Sequence, residues 1–290
     1  MPKPPTLLAL FAHPDDEAFV VSGTLTEMAA RGVRVILICA TRGEAGEISD
    51  PRLATPENLG AVRERELRRA VAIMGLDELI FLDQRDSGMD GTPANDHPQA
   101  FINARSTDVV RRLVAEIRRL QPDVMLTFEP FGGYGHPDHQ AIHNHTAAAF
   151  FAAAGSAYYP ELGAPWQTPR LFQSGMPAAF FSRLRELLLA RGEDVSKMPN
   201  PDDRPAWPGA APLMLRDITP YLDRKWQAIR AHQTQLGSDS IFNRLPLDEM
   251  GPIMSQEAFS LVYPHVDGPA GPADLFSDLL PVSANGVIRS

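Results

Sequence analysis

Short apolar runs alternate with longer amphipathic runs through the first half of the chain. The apolar runs at residues 7–11, 33–40, 78–82 and 124–128 predict strands. Residues 18–30, 56–74 and 103–120 between them predict helices. In the last of these, Val109, Val110, Leu113, Val114, Ile117 and Leu120 recur at helical spacing, with arginines on the opposite face. Gly32, Gly75 and Pro122 punctuate the helix ends. Strands alternating with helices imply βαβ units, hence an α/β fold with a Rossmann-like, mostly parallel sheet flanked by helices.

The texture changes over residues 158–212, where Pro and Gly recur with Tyr159, Trp166, Phe172 and Trp207 among them. This predicts long loops with one helix at 178–191, of the kind that forms lids and binding rims. A helix at 219–236 follows, and the tail from 268 is expected to fray. The expected organisation is one domain over 1–290: a core at 1–155, a loop-rich substrate rim at 156–215 and a C-terminal segment at 216–290.

A net charge of −9 argues against nucleic acid and anionic membrane as partners, since both bind basic surface. No apolar run approaches the ~18 residues of a membrane span, and the N-terminal run is too short for a secretory signal. Cys39, the lone cysteine, sits in an apolar run and is expected to be a buried core thiol. These features predict a cytoplasmic protein. A homo-oligomer stays open.

The chemistry is concentrated in two places. The first apolar run ends in Ala12-His13-Pro14-Asp15-Asp16-Glu17. Pro14 cannot donate to a sheet and biases His13 away from helix, so the strand stops there. The fourth run leads to Gly132-Gly133-Tyr134-Gly135-His136-Pro137-Asp138-His139, with Pro137 fitted to the first turn of a helix through His143 to about 153. Ligands of open α/β sheets gather beyond the carboxyl ends of the strands, so the two His-Pro-Asp elements are expected on one rim. Two histidines and a carboxylate with an open position make a hydrolytic zinc site. The same donors also describe the facial triad of Fe(II) enzymes. A non-catalytic sugar- or nucleotide-binding module would instead need a glycine-rich loop where this chain carries acids.

The pairing of residues 12–17 with Gly135-His136-Pro137-Asp138-His139 resembles the LmbE/PIG-L family of zinc-dependent N-acetylglucosaminyl deacetylases. Supporting segments are Thr41-Arg42-Gly43-Glu44-Ala45-Gly46-Glu47, residues 59–66, Arg85-Asp86-Ser87-Gly88-Met89 and residues 225–235. The resemblance implies a small-molecule N-acetyl amino sugar as substrate, in low-molecular-weight thiol biosynthesis, or a thiol S-conjugate amidase on the same sugar. It implies Zn²⁺, with Fe²⁺ as the alternative, held by His13, Asp16 and His139. Asp15 would be the general base. His136 would stabilise the oxyanion or protonate the leaving amine, oriented by Asp138, and Tyr134 would polarise the acetyl carbonyl. Arg63, Asp86 and Glu47 would line the sugar pocket.

Other residues carry plainer expectations. His139 and His143 lie four apart, a helical zinc-pair spacing, but His143 is expected to be structural. Glu17 is expected to bond nearby backbone, and His97 and His145 to be surface residues. His232 is balanced between a site role and a structural one. Trp166 and Trp207 either stack on a sugar or cover core.

Overall fold

The computed structural model describes residues 3–176, 178–196, 213–238, 240–265, 272, 274–277 and 279. The four expected strands are β1 (Thr6–Phe11), β2 (Arg34–Thr41), β3 (Glu78–Gln84) and β4 (Val124–Phe128). All pair in parallel: β1 lies between β2 and β4, with Leu8 opposite Ile36 on one side and Met125 on the other. Every residue of β1 is buried. That explains its unbroken apolar run, since a strand covered on both faces has no polar side to show.

Three further strands extend the sheet. β5 (Arg170–Gly175) pairs in parallel with β4, while β7 (Gln256–Tyr263) runs antiparallel to β5 and to β6 (Leu213–Asp217). The order is β3-β2-β1-β4-β5-β7-β6. The chain winds one way from β1 to β2 and the other way to β4, so a crevice opens where β1 and β4 end. Both His-Pro-Asp motifs follow those two strands.

The sheet corrects the expectation of loops over 158–212, because β5 lies within that span. Residues 197–212, Trp207 included, lie outside the described residues. So does most of the tail from 268. Trp166 covers core: its indole Nε1 donates to the Pro122 carbonyl at 2.9 Å, and the ring packs on the buried cluster.

The helices are α1 (Asp16–Val20), α2 (Ser22–Ala30), α3 (Leu59–Met74), α4 (Ser106–Leu120), the short turn α5 (Gly132–Gly135), α6 (Pro137–Ala154), α7 (Ala178–Ala190), α8 (Leu222–Ala231), α9 (Ile241–Arg244) and α10 (Leu247–Met254). The single helix expected at 18–30 is split at Val21. The physical reason is a second start: the buried Glu257 carboxylate of β7 accepts from the Gly23 and Thr24 N–H groups at 2.9 and 2.8 Å, satisfying donors that a helix start leaves open. The helix expected at 219–236 likewise breaks into α8 flanked by the 3₁₀ turns Thr219–Tyr221 and Gln233–Gln235. Its break falls at His232, which is fully buried. Among the described residues no helix is long and apolar enough to cross a membrane.

Candidate metal centre and active site

The turn after β1 is built from its own carboxylates. Asp16 Oδ2 accepts from the Ala12 and His13 N–H groups at 3.1 and 2.7 Å. Between them Asp15 takes φ 116°, a conformation that costs a non-glycine residue ~1–3 kcal/mol and persists only where the surroundings enforce it. They do so here. Glu17 Oε2 accepts from the Asp15 N–H at 3.1 Å, and buried Arg63 donates to the Pro14 carbonyl at 2.6 Å, to Asp15 Oδ2 at 3.1 Å and to the Gly43 carbonyl at 2.9 Å. Behind Glu17, His232 Nε2 lies 3.0 Å from Oε1.

The turn after β4 uses glycine instead. Gly132 has φ +72°, and a Cβ there would stand 2.7 Å from the His139 Cβ. The buried Glu129 carboxylate accepts from the Phe131 and Gly133 N–H groups, both at 2.6 Å. His136 then caps α6: its Nδ1 accepts from the Asp138 N–H at 3.1 Å.

Three donors converge across the crevice. His13 Nδ1 and His139 Nε2 are 3.2 Å apart, His139 Nε2 and Asp16 Oδ1 3.1 Å, and His13 Nδ1 and Asp16 Oδ2 3.5 Å. Donors 2.0–2.2 Å from a tetrahedral ion stand roughly 3.3–3.6 Å apart, so these spacings are close to those of a coordination face, with Asp16 turning Oδ1 to His139 and Oδ2 to His13. The outer nitrogens fix the tautomers. His139 Nδ1 donates to the Gly132 carbonyl at 3.0 Å, and His13 Nε2 faces Asp138 Oδ2 at 3.1 Å and Asp86 Oδ1 at 3.4 Å. The two inner nitrogens face each other and the Asp16 carboxylate, a set held together by a cation between them, a proton in the metal-free site or a metal ion in its place; partners of this kind orient histidine ligands. Two further groups place their ligand atoms close together, His13 with His136 and His139, which lacks a carboxylate, and His13 with Asp86 and Asp138, which has a single imidazole.

The electrostatics agree. Burial opposes protonation of His13, yet the carboxylates of Asp86, Asp138 and Asp16 outweigh it and raise its pKa well above the histidine range. Burial opposes charge on Asp16, but His139 and His13 hold it well below the carboxylate range. Burial pushes Asp15 up to about 6, with Asp16 and Glu17 adding to the rise and Arg63 and His232 opposing it. Burial and the neighbouring His13 and His139 push His136 down to about 3. His136 is thus neutral, and with Nδ1 occupied as an acceptor its proton is on Nε2.

Two cavities meet at these residues. One, of about 560 Å³, is lined by His13, Asp15, Arg63, Asp86, His136 and Glu47. Sequence reasoning missed Ser49 and Ser240 on the same wall, which lie in loops without periodicity, and gave Met89 and Gln235, both in the supporting segments, no role. The second holds about 290 Å³ and shares Asp15 and Tyr134 with the first. Tyr134 is 56 % exposed between them.

Asp138 reaches His136 through its backbone N–H, while its carboxylate turns to His13 and accepts from the Ser87 N–H at 2.9 Å. His143 stands apart from His139, with Nδ1 on the Phe128 carbonyl at 2.8 Å. His232 lies one layer behind Asp15, and Glu17 bonds backbone as expected.

Residues 8–150 match the PIG-L family, described as GlcNAc-PI de-N-acetylase, and the chain belongs to this family. It is 37 % identical over 269 residues, 88 % of this chain and 91 % of the relative, to 1D-myo-inositol 2-acetamido-2-deoxy-alpha-D-glucopyranoside deacetylase of Rhodococcus jostii. The protein of the same name from Geodermatophilus obscurus is 36 % identical over 94 % of this chain and 95 % of that relative. Among solved structures, N,N'-diacetylchitobiose deacetylase of Pyrococcus horikoshii has a TM-score of 0.61 at 20 % identity, covering 89 % of this chain and 83 % of that one. The 4-carboxy-2-hydroxymuconate hydratase GalB of Pseudomonas putida has a TM-score of 0.59 at 20 % identity, covering 92 % and 100 %. A hydratase on the same scaffold means that the fold by itself does not select the reaction.

Proposed function

We propose that this chain deacetylates 1D-myo-inositol 2-acetamido-2-deoxy-α-D-glucopyranoside, or a closely built N-acetylglucosaminide, in low-molecular-weight thiol biosynthesis. The observation that carries this reading is the cluster of His13, Asp16 and His139 donors beside Asp15, where the two cavities meet. The relatives' names supply the substrate.

Two imidazoles and one carboxylate suit zinc, which on binding would acidify water and polarise the acetyl carbonyl. Asp15 takes the proton of the attacking water and returns it to the amine nitrogen as the C–N bond breaks. His136, neutral with its proton on Nε2, donates to the developing oxyanion rather than acting as an acid. Tyr134 donates to the same oxygen. Asp138 serves as an acceptor for His13, fixing which of its nitrogens faces the ion. Arg63, Asp86 and Glu47 bond the sugar hydroxyls on the polar wall. We place the reaction in the cytoplasm, where the buried, unpaired Cys39 meets no oxidant.

The test is to load the purified chain with zinc and supply the inositol glucosaminide. Acetate and primary amine are expected in equal amounts. Asp15→Asn is expected to keep its metal and lose ~10²–10⁴-fold in kcat, the usual worth of a general base. A metal-loaded protein that leaves the acetyl group in place overturns the reading.

A further inference from the structure

We infer that the second, apolar cavity is an acyl-chain subsite, and that the enzyme takes N-acyl amino sugars whose hydrocarbon chains run well beyond acetyl. The inference rests on the amide-hydrolase reading above.

An amide carbonyl has two substituents. The nitrogen bears the polar sugar, and the carbonyl carbon bears the acyl chain. The structure offers two chambers of matching character, and both open on Asp15 and Tyr134. The larger carries Arg63, Asp86 and Glu47. The smaller is walled by Phe19, Phe128, Met176, Phe180, Phe181 and Phe242. Its polar lining residues, Asp15, Asp16, His139 and Tyr134, all belong to the two turns of the candidate metal centre. The wall begins on a ligand ring, because Phe128 stacks on His139 at 4.0 Å with 8° between planes. Farther out, Phe19 packs against Phe242 at 5.0 Å, and Phe180 against Phe181 edge-on at 5.3 Å.

Size decides against acetyl as the limit. A methyl group displaces about one water, ~30 Å³, and the chamber holds about 290 Å³. Chemistry decides what fills it. An acyl group carrying an amine or further amides would bury polar atoms against phenylalanine, which is costly without partners. A plain hydrocarbon chain would not. Hydrolysis then runs as for acetyl: water's oxygen joins the acyl carbon, the C–N bond breaks, a fatty carboxylate leaves and the amine gains a proton.

The test uses the metal-loaded full chain and calorimetric titration with acetohydroxamate and hexanohydroxamate, metal chelators that differ only in chain length. Each buried methylene tightens binding about fourfold, so hexanohydroxamate is expected to bind roughly 30–250-fold tighter. Met176→Trp, which fills the chamber, is expected to bring that ratio below about threefold. Using the ratio within one variant cancels any loss of metal or fold. Equal or absent binding of the longer chelator overturns the subsite, as does a ratio that survives both Met176→Trp and Phe181→Asp. The acetate assay separates the two readings. A chain-length gain without acetate release sinks the deacetylase and keeps the subsite, and acetate release without the gain does the reverse.

Discussion

The two turns that meet at the candidate metal centre solve the same problem with different materials. Both follow a buried parallel strand, and in both a buried glutamate, Glu17 or Glu129, holds backbone N–H groups. The turn after β1 bends at a non-glycine residue and is braced from outside by Arg63 and His232. The turn after β4 bends at glycines and leaves Tyr134 more than half exposed. The contrast matches the tasks proposed for them. On that reading the first turn would supply two metal donors and the base, whose positions must not drift, and the second would supply one donor and the groups that meet the carbonyl, which must admit and release substrate.

The comparison breaks most sharply at the donors. His139→Ala is expected to lose the metal and all measurable turnover, while His136→Ala keeps the metal and loses ~10²–10³-fold in kcat, the worth of one oxyanion donor. Metal content and kcat measured on the same preparations check both, and the opposite pattern would exchange the two roles. Gly132→Ala comes next. Its Cβ would press on His139, whose Nδ1 also donates to the Gly132 carbonyl. A fall of ~10–100-fold in metal affinity is expected, as for loss of a ligand's hydrogen-bond partner. Competition with a chelator reads it, and an unchanged affinity would mean that the β4 turn tolerates a side chain.

Much of this was legible in the sequence, and the rest fails for identifiable reasons. The four strands β1–β4 stand out because parallel, doubly covered strands are apolar throughout and glycine or proline closes the intervening helices. Both motifs announce themselves by placing histidine and acids where a buried strand ends. β5 and β7 were missed because their runs carry Arg170, Gln173, Ser174, Glu257 and Ser260 among the apolar residues. Three of them meet partners distant in sequence: Lys225 donates to Glu257 at 2.7 Å, Arg170 to the Leu275 carbonyl at 3.0 Å and Ser174 to the Ala258 carbonyl at 2.8 Å. No local pattern reveals such pairings. The split at Val21 was hidden for the same reason, since its cause is a carboxylate more than 230 residues away. At the site, the motifs singled out the candidate donors that the fold brings together, but spacing did not say which way the Asp138 carboxylate turns.

The smallest expected effect tests the outer brace of the first turn. His232 is fully buried, and burial opposes its protonation, but the Glu17 carboxylate, with Asp15 behind it, outweighs this and raises its pKa. A histidine whose pKa is higher folded than unfolded stabilises the fold fully below the unfolded value of ~6.5, and that contribution fades as pH rises through the folded value. His232→Gln keeps a hydrogen-bond donor for Glu17 but removes the charge. Its deficit against the parent is expected to be greatest below pH ~6.5, about 1–3 kcal/mol for a hydrogen bond between charged groups, and to shrink toward alkaline pH. Denaturant midpoints across the pH range, taken on metal-free protein, measure it. A deficit that is flat with pH would mean that His232 braces Glu17 as a neutral donor. In that case the rigidity of the first turn would come from Arg63 and the hydrogen-bond geometry alone.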